Sequence, residues 1–266
     1  MRLRSRNRID QSTLVDRLAL QKGGGSMYAI VSPENINLPP GTVVRLLGNW
    51  QDYLALTQQR GDDKSIPRIK YRPGEILLMA PLPAHGFDAN ILADVAKELL
   101  DHSGKEYQAY TLITMQLPER SGFEPDYCFY IDNWAAVTGK RRIDWSVEPP
   151  PDLVIEIDVT SYTDVNDYLP YRVPEVWLFK TDELSIYGLQ DNAYVIQSNS
   201  RYFPEINLSE IVRETLQIAI DSSTSAAIRA LRKNCKKTLK CIKANLLKLQ
   251  RSQRKSQGLS QTYLHS

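Results

Sequence analysis

The stretch PPPDLVIEIDVTS, residues 149–161, sets two carboxylates, Glu156 and Asp158, in a run otherwise dominated by Val, Ile and Leu. Side chains alternate across a strand, so Glu156 and Asp158 share one face while Ile155, Ile157 and Val159 share the other. Thirty residues before Glu156, Asp126 follows Pro125 at the head of a second β-rich run, PDYCFYI. If the two strands are neighbours, Asp126 and Glu156 reach one point at a sheet edge. Two such carboxylates, completed by water and a substrate phosphate, are what Mg²⁺ prefers. The metal would lower the pKa of a bound water and offset charge on the phosphate. An open sheet face with both acids hydrated accounts for the same residues, because Pro-Asp and Glu-x-Asp pairs are common.

Several elements must position these acids. Trp50 to Gln59 has helical spacing, and RIKYRPGEILLMAP reads as two strands joined at Pro73-Gly74. Residues 88–102 place Ile91, Leu92, Val95, Leu99 and Leu100 on one helical face, with Asp88 near the N-terminus. Residues 107–117 and 125–131 are β-rich, and 133–150 reads as a loop with one helical turn. The strand bearing Glu156 follows, then a short polar helix over 163–169 ended by Pro170, then the strand EVWLFK. ELSIYGL and AYVIQS form a closing hairpin. SEIVRETLQIAI and the basic segment from Ser225 to Gln250 read as helices. This order builds an α/β fold with a mixed sheet and helices packed on it.

The bulk properties narrow the class. Three cysteines, Cys128, Cys235 and Cys241, form no CxxC pair, which points to a reducing compartment and away from structural zinc. No stretch approaches the roughly 18 apolar residues of a membrane span, and no signal-peptide pattern opens the chain. The expected location is the cytoplasm, with no membrane partner. The formal charge of +2 hides an asymmetry: from Ser222 onward there are eleven Lys/Arg and no Asp/Glu, leaving 22 basic and 31 acidic residues in 1–221. The expected organisation is a disordered extension over 1–26, a domain over 27–225, and a basic helical tail over 226–266. Met27 opens more ordinary sequence and is a candidate start. For the tail, a helix following phosphates, a membrane-surface helix and a solvated extension all fit.

Order and spacing together resemble the PD-(D/E)XK nuclease superfamily, with Pro125-Asp126 followed by Glu156. The finer resemblance is to the Uma-two family of restriction endonucleases. It is carried by YRPGEILLMAPLPAHG (71–86), FEPDYCFYI (123–131), PPPDLVIEIDVTS (149–161), YRVPEVWLFK (171–180) and LSIYGL (184–189), spanning roughly 40–232. The resemblance implies a restriction-endonuclease-like mixed β-sheet core flanked by helices, and hydrolysis of DNA phosphodiester bonds with Mg²⁺ or Mn²⁺. It implies Asp126 and Glu156 as catalytic metal ligands, with Asp158 beside them as a third carboxylate and Glu75 as a further candidate ligand. His85 also falls at a family position, although hydrogen bonding near a helix N-terminus explains it equally. A homodimer is compatible with this reading.

The chain departs from the superfamily at one point. Asp158 stands where a lysine is usual, and 157–172 contains no lysine, only Arg172. Lys70, Lys180 and the Lys140-Arg141-Arg142 cluster are the alternative cations, and the sequence places none of them at the site. The loss favours a second expectation, a catalytically inactive nuclease fold that binds nucleic acid or a protein partner.

Overall fold

The computed structural model describes residues 38–60, 67–111, 113–158 and 163–235. The expected extension over 1–26 and the tail from 236 onward lie outside the described residues. The elements run β1 (Val43–Leu47), α1 (Trp50–Arg60), β2 (Arg68–Arg72), β3 (Glu75–Met79), α2 (Pro83–Ser103), β4 (Gln108–Tyr110), β5 (Met115–Leu117), β6 (Ser121–Phe123), β7 (Tyr127–Tyr130) and α3 (Trp134–Val137). They continue with β8 (Leu153–Ile157), a 3-10 helix (Val165–Tyr171), β9 (Glu175–Lys180), β10 (Glu183–Gln190), β11 (Ala193–Gln197), α4 (Leu208–Asp221), and a helix over 224–235, α5. Among the described residues no helix is long and apolar enough to cross a membrane.

Local chemistry sets the helix ends. Asn49 caps α1 by accepting from the N–H groups of Gln51 and Asp52, and Asp52 accepts from Asn49 N–H in return. Proline opens α2, and Gly104 at φ 69° closes it while its N–H reaches the Asp101 carbonyl. Asn207 caps α4 through Glu210 N–H.

The strands form two sheets. One has the order β1-β3-β2-β6-β5; the other runs β11-β10-β9-β8-β7-β4. In the second sheet β8 and β9 are parallel and the remaining pairs antiparallel, so the sheet is mixed. Helices α2, α4 and α5 cover one of its faces around Trp177, Phe129, Leu92 and Val95, all fully buried. The opposite face buries Cys128, Val154 and Val176 against Tyr168, Tyr171 and Phe123. A third apolar cluster joins α1 to the five-stranded sheet through Trp50, Tyr53, Ile69, Tyr71 and Ile76.

The structure differs from expectation in several places. Helix α2 begins at Pro83 rather than 88, because its first turn carries no apolar period to reveal it. The β-rich 107–117 becomes two short strands in different sheets. Strand β1 was not expected, and its half-exposed edge position explains why no alternation marks it. Pro170 lies inside the 3-10 helix, not beyond it. A run this short has few backbone bonds to lose, and Arg172, at φ 56°, closes it by donating to Leu169 O at 3.1 Å. Helix α5 packs on the domain: Ala227, Leu231 and Cys235 are buried, and Arg232 donates to the Glu98 carboxylate of α2 at 2.5–2.9 Å.

Gly122 of β6 lies directly against the buried Tyr53 ring. A Cβ there would stand 2.5 Å from Tyr53 Cζ, well inside contact distance. Gly122→Ala should therefore destabilise the chain by about 1–3 kcal/mol. Urea denaturation reads this directly, and an unchanged midpoint would refute it.

Candidate active site

The site begins with register. Tyr127 of β7 pairs with Ile155 of β8, and the pairing continues antiparallel to Phe129 and Leu153. Asp126, the residue just before β7, and Glu156, the residue after Ile155 on β8, lie at this end of the pairing. Both are buried, at 2% and 7% exposure. The Asp126 side chain reaches over the end of β8, where Oδ2 accepts from Ile157 N–H at 2.9 Å. Its other oxygen accepts from His85 Nε2 at 2.7 Å and from the Arg68 guanidinium. Glu156 Oε1 accepts from the Tyr168 hydroxyl of the 3-10 helix.

Adjacent carboxylates in a poorly solvated place cannot ionise independently. Burial pushes Asp126 upward, but the His85 hydrogen bond and the Arg68 charge outweigh it and hold the carboxyl at about 2. Burial and then the charge of Asp126 push Glu156 up to about 8; Lys70, Tyr168 and Arg68 only partly offset them. Asp126 is thus the ionised member of the pair, and Glu156 the one that keeps its proton.

Strand β2 supplies the surrounding cations. Arg68, Lys70 and Arg72 alternate with Ile69 and Tyr71, so the apolar residues enter the α1 cluster while the cations turn the other way. Arg68 meets Asp126. Lys70 Nζ lies 2.5 Å from Asp167 Oδ2, and Arg72 grips the same carboxylate through Nε and Nη2 at 2.7 and 2.8 Å. A cleft opens over this ground, lined by Arg68, Lys70, His85, Phe123, Glu124 and Glu156 among others. Asp126 lies behind Arg68 and His85 rather than on the cleft wall.

The sequence candidates separate here. Asp126, Glu156 and His85 come together. Asp158 pairs with Lys180 at 3.2 Å, its N–H donates to Phe179 O, and it is not on the cleft wall. Glu75 lies beside the hairpin turn, paired with Arg45 at 2.6 Å and within 3.8 Å of Arg72, and it too is absent from the cleft lining. Among the described residues, no group of three or more His, Cys, Asp and Glu is arranged to hold a metal ion. Sequence reasoning missed Arg68, Asp167 and Tyr168. The alternation of cations in RIKYR was a signal for the first, since period-two charges in a half-buried strand must meet acids. Nothing local marks Tyr168 or Asp167.

No match is found among curated proteins. A crystal structure of "a putative nuclease" from Anabaena variabilis is similar at 16% identity and a TM-score of 0.43, covering 62% of this chain and 97% of the other. The model of the Uma2 family, described as "Putative restriction endonuclease", matches residues 50–221. That span runs from the first residue of α1 to the last of α4 and holds the charged side chains of the cleft. The chain belongs to the Uma2 family of restriction-endonuclease-like proteins.

Proposed function

We propose that the chain is a divalent-metal-dependent endonuclease that hydrolyses DNA phosphodiester bonds. The observation that carries the reading is the burial of Asp126, at the head of β7, and Glu156, on β8, beside a cleft whose lining includes Arg68 and Lys70. The donor set suits Mg²⁺ or Mn²⁺, which accept one or two carboxylates and complete their shells with water and phosphate. Asp126 and Glu156 would hold the ion. When bound, it lowers the pKa of water and draws charge from the phosphate.

The chain's own residues do the remaining work. Ile157 N–H and His85 fix the Asp126 carboxylate, and the Tyr168 hydroxyl fixes that of Glu156. Arg68 and Lys70 present positive charge to the cleft through which a phosphate would approach. In the reaction a water oxygen bonds to phosphorus and one phosphorus–oxygen ester bond breaks. The attacking water gives up a proton to solvent, and the departing oxygen takes one from solvent.

A second reading, a nuclease fold that binds DNA without cutting it, draws on one observation. The Arg68 guanidinium already pairs with Asp126, and His85 hydrogen-bonds it, so the buried charge is balanced by protein alone. Plasmid nicking separates the two. Supercoiled DNA with Mg²⁺ or Mn²⁺ should be nicked by wild type, and Asp126→Ala or Glu156→Ala should each lose about 100-fold or more. Retardation of a DNA duplex by wild type with no nicking under either metal would select the second reading.

The pair also makes a prediction about stability without metal. Glu156 keeps its proton in the folded chain from its ordinary value of 4.5 up to about 8, whereas the unfolded chain has lost it. The folded state binds more protons in that window, so this group's contribution to stability falls as pH rises through it. Denaturation in EDTA at several pH values should show a shallower decline for Glu156→Gln than for wild type. Identical slopes would show that Glu156 is ionised when folded.

A further inference from the structure

We propose that Lys70 of β2 supplies the active-site cation that Asp158 and the helix after β8 do not provide, and that Asp167 holds its ammonium in place. The inference rests on the nuclease reading of Asp126 and Glu156. It reassigns the lysine from the strand and helix that follow Glu156 to a strand of the other sheet.

Four observations support it. First, the other cations the sequence offered are committed elsewhere. Lys180 pairs with Asp158 off the cleft and is 42% exposed at its side chain. Lys140 pairs with Glu148, and Arg141 and Arg142 are exposed in the loop over 138–152. Second, Lys70 lines the same cleft as Glu156, with only 8% of its side chain exposed. Third, its ammonium is buried with specific partners. An ammonium taken from water costs several kcal/mol unless paired, and here one carboxylate, Asp167, and the Phe123 ring at 5.1 Å meet it. Fourth, Arg72 fixes both oxygens of Asp167, so the ion pair has a defined direction.

The location also fits the chemistry. Lys70 stands two residues from Arg68 on one face of β2, a separation of about 7 Å along the strand, and Arg68 touches Asp126. Its charge is felt at Glu156, where it opposes burial and the neighbouring Asp126. An ammonium so placed neighbours a phosphate at the carboxylate pair. It would attract the phosphate oxygens and offset the charge that grows on them as the water oxygen bonds to phosphorus and the ester bond breaks.

The test uses the full chain and three readouts: Mn²⁺ binding by calorimetry, duplex DNA binding in Ca²⁺, and plasmid nicking in Mn²⁺. Lys70→Met should keep Mn²⁺ binding at or above the wild-type level, since the carboxylates remain and a repelling charge is gone. It should weaken Ca²⁺-dependent duplex binding about fivefold and lower nicking about 100-fold. Lys70→Met with Asp167→Asn should show the same loss, whereas a purely structural ion pair predicts that neutralising both partners restores nicking. Wild-type nicking by Lys70→Met, with Asp126→Ala inactive, would overturn the lysine assignment and leave the nuclease reading standing. A folded Lys70→Met/Asp167→Asn variant that nicks at the wild-type level would overturn it as well. Wild type that neither binds Mn²⁺ nor nicks would overturn the nuclease reading, and the assignment with it.

Discussion

Two carboxylates buried side by side need a retained proton, an opposite charge nearby, or both, and this requirement organises the centre of the molecule. Asp126 and Glu156 are brought to one end of the β7–β8 pairing, whose register their apolar neighbours fix through the packing of both sheet faces. A slip of one residue would send Cys128, Val154 and Ile155 to the wrong sides. The register is therefore secured by hydrophobic burial, and the charge repulsion it creates has to be met by other elements.

Strand β2 and the first turn of α2 meet it. The cations of β2 reach from the five-stranded sheet to acids of the six-stranded sheet and the 3-10 helix, so one row of charges spans two sheets. Aromatic packing supports the same seam. Phe123 stands edge-on to Tyr168 at 4.8 Å and to Tyr171 at 5.6 Å, which fixes the ring whose hydroxyl donates to Glu156. Polar specificity and apolar adhesion thus coincide where the cleft opens. Other buried acids show the contrast. Glu175 accepts from the Trp177 indole of its own strand and from Ser200 and Arg201, and Asp152 from Ile131 and Asn133, so both work as braces away from the cleft.

Much of this was legible in the sequence because it depends on local period. The strand carrying Glu156, the β2–β3 hairpin, EVWLFK and the apolar face of α2 all announce themselves by alternation or helical spacing. The pairing of Asp126 with Glu156 followed from two strand assignments and an assumption of adjacency, which the register supplies. The fates of Asp158 and Glu75 were not legible. Whether an acid at a strand end faces the cleft or a lysine on the next strand depends on tertiary geometry, and Lys180 lies 22 residues from its partner. The same holds for Lys70 and Asp167, separated by nearly a hundred residues. Ion pairs between distant segments leave no periodic trace, and in this molecule the decisive ones are of that kind.

Helix α2 has 21 residues and is therefore about 30 Å long. Its first turn carries His85, which holds Asp126, and its last turns carry Glu98, which receives Arg232 of α5. One stiff rod thus connects the interior of the cleft with the far side of the domain. Ala227, Leu231 and Cys235 seat α5 through apolar burial, and the half-exposed ion pair mainly sets its rotation. In mechanical terms the seam after residue 221 is a joint under the foundation rather than the root of an appendage. A pull on the chain beyond Cys235 would be borne first by α5 and then by the rod on which the cleft rests.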